Sequence, residues 1–120
     1  MIDDYRKGWA LRYIREAKAD LREAHRTMGA DPSLLMEALR KTQAAVYYSL
    51  GDPVSIESIV QQNLYEDDRI KNSILRYLVE IEKSIRLMAQ LPSSIDEKML
   101  KEVEEIFKTA TEIVTLFTEN

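Results

Sequence analysis

The chain has 120 residues, of which 45% are hydrophobic and 32% charged, with 3 Gly, 3 Pro, 1 His and no Cys. That composition excludes disordered, collagen-like and low-complexity chains, disulfide frameworks, thiol nucleophiles and Cys-ligated zinc. The lone His also excludes a metal site built on two or more histidines. Gly8, Gly29 and Gly51 lie too far apart for a phosphate-cradling loop. No apolar run approaches the ~18 residues of a membrane span, and the opening MIDDYRKGWA is too charged for a signal peptide. The expectation is a soluble, cytoplasmic protein forming one domain over residues 1–120, with no cofactor.

The hydrophobic period is helical almost throughout. Ala10, Ile14, Ala17, Leu21, Ala24 and Met28 step alternately by 4 and 3, which places them on one stripe of a first helix. Asp3 or Asp4 is the candidate N-cap and Gly29 the candidate stop. Asp31-Pro32 then reads as a cap followed by a first helical residue. The second helix carries Leu35, Leu39, Val46 and Leu50, with Ala38 and Ala45 permitting close approach, and stops at Gly51. Asp52-Pro53 repeats the start signal. The segment it opens, with Val54, Ile56, Ile59, Val60 and Leu64, is either a short helix or a structured crossover.

Asn63 and the run Glu66-Asp67-Asp68 break that segment, and either aspartate can cap the next one. A long fourth segment follows, with Ile70, Ile74, Leu78, Ile81, Ile85 and Met88 on one stripe. It ends at Leu91-Pro92, because the residue before a proline is pushed out of the helical region. Ser94 and Glu97 have capping-box spacing. The last helix shows two stripes: Met99, Val103, Ile106, Ala110, Ile113 and Phe117 on one, Leu100, Phe107 and Val114 on the other. Such a face is wider than one neighbouring helix needs. A second copy of the chain, giving a homodimer, or the short third segment is expected to cover the surplus. No stretch alternates as a strand would. The expected fold is an all-α antiparallel bundle of four long helices plus one short one.

Net charge is −4, which argues against a generally basic nucleic-acid binder. The charge is uneven: residues 1–50 hold 9 Lys+Arg against 7 Asp+Glu, and residues 51–120 hold 8 against 14. Arg15, Lys18, Arg22 and Arg26 align on one flank of the first helix and are the candidate phosphate contacts. The ordinary account of that flank is a solvated face, since Glu16, Asp20 and Glu23 lie within helical pairing distance. His25 lies one turn after Arg22, a pairing suited to metal-independent RNA cleavage: His moves protons and Arg steadies phosphate charge. A lone His near a helix C-terminus is otherwise an ordinary partner of the dipole. The acidic residues Glu80, Glu82, Glu102, Glu104 and Glu105 lack the Glu-x-x-His pairs of di-metal bundles, so no metal is expected. Tyr47 and Tyr48 are either core residues or aromatic anchors for a partner, and Trp9 and Tyr13 form a stacked i, i+4 pair.

Two stretches resemble the HEPN family, small helical domains of prokaryotes often encoded beside minimal nucleotidyltransferases. Trp9 followed by Ala17-Lys18-Ala19-Asp20-Leu21-Arg22-Glu23-Ala24 is similar to that family's opening helix, W and then A-x-x-D-L-x-x-A. Ala38 to Leu50, with Gln43-Ala44-Ala45, resembles its alanine-rich second helix. The resemblance implies a helical domain that is a metal-independent ribonuclease, a toxin, or a non-catalytic partner of a nucleotidyltransferase. The family's ribonucleases carry an Arg followed four to six residues later by His near the start of a late helix. Here Asp68-Arg69-Ile70-Lys71-Asn72 occupies that place and no His follows. The resemblance therefore implies a non-catalytic member: a binding module, expected as a homodimer, for a protein partner such as a nucleotidyltransferase, or for RNA or a nucleotide. The alternatives are a ribonuclease using His25 and Arg22, and a structural subunit of a larger assembly.

Overall fold

A computed structural model describes residues 2–27, 32–66, 69–90 and 96–119. Asp3 accepts a hydrogen bond from the Arg6 N–H at 2.8 Å and starts α1 (Asp4–Arg26). Thr27 closes it, its N–H and its hydroxyl both donating to the Glu23 carbonyl. Gly29 and Asp31, the expected stop and cap, lie outside the described residues. α2 (Ser33–Leu50) follows, with Pro32 in the cap position. The third segment is a helix, α3 (Pro53–Gln62): Asp52 accepts from the Ser55 N–H at 3.1 Å, and Pro53 fills the first turn.

The last two helices begin differently from the sequence expectation. α4 (Ser73–Gln90) starts after Ile70, capped by Asn72, whose Oδ1 accepts from the Ile74 and Leu75 N–H groups at 2.9 and 3.0 Å. Ile70 is buried although it precedes the helix, and its carbonyl accepts from Arg76. Asp67 and Asp68 lie outside the described residues. α5 (Glu97–Thr118) is capped by Asp96, which accepts from the Met99 N–H at 2.7 Å. A carboxylate at that position satisfies a free N–H and complements the helix dipole together. Ser94, the expected partner of Glu97 in a capping box, is outside the described residues; Glu97 instead pairs with Lys101.

The protein is an all-α helical bundle, and no strand occurs among the described residues. One core cluster joins the end of α1 (Leu21, Ala24), the start of α2 (Leu35, Ala38, Leu39), the end of α4 (Ile81, Ile85, Met88) and the start of α5 (Leu100, Val103). The other joins the opposite ends, including Ala10, Ala45, Val46, Leu78, Ala110 and Val114. α1 and α4 therefore run one way, α2 and α5 the other. The short dimension is 19 Å, about two helix diameters, so the bundle is a flattened slab. α2 is its hub, packing against α1, α3, α4 and α5.

The wide apolar face of α5 is covered in part within the chain: Met99, Ile106, Phe107, Ile113 and Phe117 are half-buried and Leu116 is exposed. Its most buried residues, Leu100, Val103, Ala110 and Val114, run between the two expected stripes. Phe107 turns toward α1 and Ile106 toward α4. The short third segment does not cover this face, because α3 packs on α2 and α4.

Leu39 is wholly buried in this hub. Leu39→Ala is expected to cost about 2–5 kcal/mol, seen as a melting temperature lowered by roughly 10 °C. Gly8 lies within α1, and a Cβ there would meet nothing within 4 Å. Gly8→Ala is expected to stabilise the fold by about 0.5–1 kcal/mol in chemical denaturation, since it removes only backbone entropy.

Candidate functional site

Of the three acids on α1 that were candidates to neutralise its basic flank, Glu16 and Asp20 are engaged elsewhere and Glu23 holds Arg26 of the flank. Glu16 accepts from Arg12 at 2.8 Å and faces Lys41 of α2 at 3.5 Å. Asp20 meets Lys41 at 2.9 Å, and Glu23 meets Arg26 at 2.9 Å. Hydrogen bonding by Arg12 holds the Glu16 carboxyl below the usual range, and Arg26 does the same for Glu23. Asp20 holds the Lys41 ammonium above its ordinary value.

The expected four-residue stripe thus divides. Arg26 is paired, whereas Arg15, Lys18 and Arg22 are exposed and make no ion pair among the described residues. Lys18, Arg22 and His25 line one groove with Leu21 on α1 and with Glu104 and Phe107 on α5, a volume of about 360 Å³. Arg15 lies outside that lining. The groove thus holds two fixed cations, an imidazole, one carboxylate and an aromatic edge. Sequence reasoning missed Glu104 and Phe107 here, because their approach to α1 is a tertiary fact.

The two adjacent tyrosines of α2 have different surroundings. Tyr47 is 6% exposed, and its hydroxyl accepts from Gln43 Nε2 at 3.1 Å. It lies in the core and presents no anchor at the surface. Gln43 Nε2 also donates to Glu82 of α4 at 2.7 Å. Glu82 in turn binds Arg86, and Arg86 donates to Gln61 of α3. Tyr48 is half-buried in an aromatic ladder on the α1–α2 edge. Its ring lies 6.2 Å from Trp9 and 5.9 Å from Tyr13, both near-parallel, and Trp9 lies 5.5 Å from Tyr13. Tyr5 joins edge-on at 6.4 Å, and the Arg12 guanidinium sits 5.0 Å from the Trp9 ring centre. The expected Trp9–Tyr13 pair is present. Tyr5 and Arg12 are additions: the i, i+4 spacing 5, 9, 13 could have signalled Tyr5, and the i, i+3 spacing 9, 12 could have signalled Arg12.

A larger groove of about 830 Å³ runs between α4 and α5. Its walls mix Glu80, Lys83, Lys98, Lys101, Glu102 and Glu105. Among the described residues no group of three or more His, Cys, Asp or Glu is placed to hold a metal ion, and no helix is long and apolar enough to cross a membrane. No protein-family model matches the sequence, and neither does any curated protein or solved structure.

Burial pushes the phenols of Tyr47 and Tyr77 well above their ordinary value, with Glu82 and Glu80 respectively adding to the effect. A folded-state value raised above the unfolded ~10 contributes stability that is complete below that pH and is lost as pH rises past it. Of the 6 tyrosines, these two are expected to form phenolate only together with the alkaline loss of helical circular dichroism. Full phenolate absorbance with helicity intact would refute that placement.

Proposed function

We propose that the chain is a non-catalytic helical binding module for a phosphate-bearing ligand, RNA or a nucleotide, held on the α1 flank by Arg15, Lys18 and Arg22. One observation carries this reading. In a chain of net charge −4, three neighbouring cations keep no ion-pair partner among the described residues, while the acids beside them on α1 are engaged with Arg12, Lys41 and Arg26. A phosphate oxygen accepts from Arg in a forked geometry and from Lys as a point charge. Phe107 offers an apolar edge in the same groove as Lys18 and Arg22. The HEPN resemblance points the same way, toward a member without the family's catalytic pair.

Binding of a labelled single-stranded RNA octamer, followed by fluorescence anisotropy, tests this. Three phosphate contacts predict an affinity that falls roughly twentyfold between 50 and 200 mM salt, a log–log slope of about −2. Arg22→Ala is expected to weaken binding equally for all sequences and to flatten the slope by about 0.7. No binding at low salt removes the reading.

A second reading, a metal-independent ribonuclease, is favoured by the shared groove of Arg22, His25 and Glu104. There His25 would move the proton and Arg22 would stabilise developing phosphate charge. It predicts RNA cleavage in the presence of a chelator and its loss in His25→Ala. RNA left intact by concentrated wild-type protein ends that reading and leaves the binding module standing.

A further inference from the structure

Resting on the binding reading above, we propose that the aromatic ladder Tyr5, Trp9, Tyr13 and Tyr48 is the base-stacking half of the same site, and that its ligand is a single strand of nucleic acid lying along α1. Three rungs of the ladder and the three unpaired cations lie on α1 but on opposite flanks of it, the rings toward α2 and Lys18 and Arg22 toward α5. Arg12 and Arg15 bridge them: Trp9, Arg12, Arg15 and Lys18 step by three residues diagonally across the exposed face of the helix, and the Arg12 guanidinium covers Trp9 at 5.0 Å. Trp9 and Arg22 are thirteen positions apart on α1, about 20 Å along the axis and more than a third of a turn around it, so a strand reaching both crosses the exposed face obliquely over roughly 30 Å. A single strand covers that path in roughly five to eight nucleotides, within the range of known single-strand sites.

The rings are built to receive a planar partner. Tyr5 is 69% exposed, and Trp9, Tyr13 and Tyr48 are half-buried, so one side of the ladder is open. The face of Trp9 already takes a planar cation, and the same face accepts a base in its place. Among the described residues, neither the indole N–H of Trp9 nor the hydroxyls of Tyr5, Tyr13 and Tyr48 hydrogen-bond to the protein, so these donors remain for base or sugar acceptors. A duplex, whose bases are already stacked inside, has no such faces to offer. The charge of the flank suits a phosphate backbone, and stacking is tolerant of sequence.

Trp9 is the only Trp in the chain, so its emission reports the ladder directly. The wild-type protein is titrated with octamers of uridine and of thymidine and with a duplex of mixed sequence, reading Trp9 fluorescence and anisotropy in parallel. The single strands are expected to change Trp9 emission with the same midpoint as the anisotropy, and the duplex to leave it unchanged. Tyr5→Ala, an exposed site whose loss spares the core, is expected to weaken single-strand binding roughly fivefold or more while keeping the salt slope. Salt-dependent binding by anisotropy with unchanged Trp9 emission, or with equal affinity in Tyr5→Ala, overturns the stacking site and leaves the phosphate site intact. Absence of binding by anisotropy overturns both.

Discussion

The close approach of α1 and α2 through alanine is the constraint from which the rest follows. Ala10, Ala17 and Ala24 on α1 recur every seven residues, as do Ala38 and Ala45 on α2, and all five are wholly buried. The separation of packed helices is set by the side chains at their contact, and alanine allows the smallest. At that separation Lys41 reaches across to Glu16 and Asp20, and Arg6 reaches the carbonyls of Tyr48 and Ser49 at the end of α2. The same proximity brings Tyr48 beside Trp9 and Tyr13. On the other flank of α1, Arg15, Lys18 and Arg22 make no ion pair among the described residues, because Glu16 and Asp20 turn toward Lys41 of α2.

The opposite side of α2 is held by a different device. Gln43, Glu82, Arg86 and Gln61 form a hydrogen-bonded chain from α2 through α4 to α3, with Tyr47 at its head. The Glu82 side chain is only 14% exposed, yet it is bonded by both Arg86 and Gln43. A partly buried carboxylate is tolerable because its lone pairs are satisfied, and removing one partner would leave the rest desolvated. Tyr77 closes the remaining side, donating from α4 to the Ile106 carbonyl of α5 and packing against both core clusters. Apolar burial supplies cohesion to this bundle, whereas these few polar bonds select which faces meet.

The helices and their directions were legible because a period of three and four residues, punctuated by Asp-Pro and short connections, has few alternative meanings. The helix ends were less so. Ile70 continues the apolar period of α4 but belongs to the segment before it, since burial does not require helicity and Asn72 makes the better cap. The width of α5 suggested a surplus, and packing on α2 and α1 buries the centre of that face while its margins stay half-buried and Leu116 exposed. At the candidate site, sequence gave the cations but not their partners. Glu16 can pair within its own helix or with α2, and only the packing decides that Lys41 shares it. Gln43 likewise could be read as polar, but not as the link between Tyr47 and Glu82.

Groove size is a poor guide to which surface is selective. The α4–α5 groove is more than twice the volume of the α1–α5 groove, but its walls alternate in sign and Glu97 and Lys101 pair within one wall. Opposite charges so close together cancel beyond a Debye length, so the groove projects no field that could draw one class of partner. In the smaller groove Lys18 and Arg22 share the lining with a single carboxylate, Glu104. A local excess of one sign survives there against an acidic whole. Such a surface attracts anions only at short range, because the net charge opposes them from afar. That favours a ligand whose phosphates and apolar faces can both be engaged at contact over one drawn in by long-range steering.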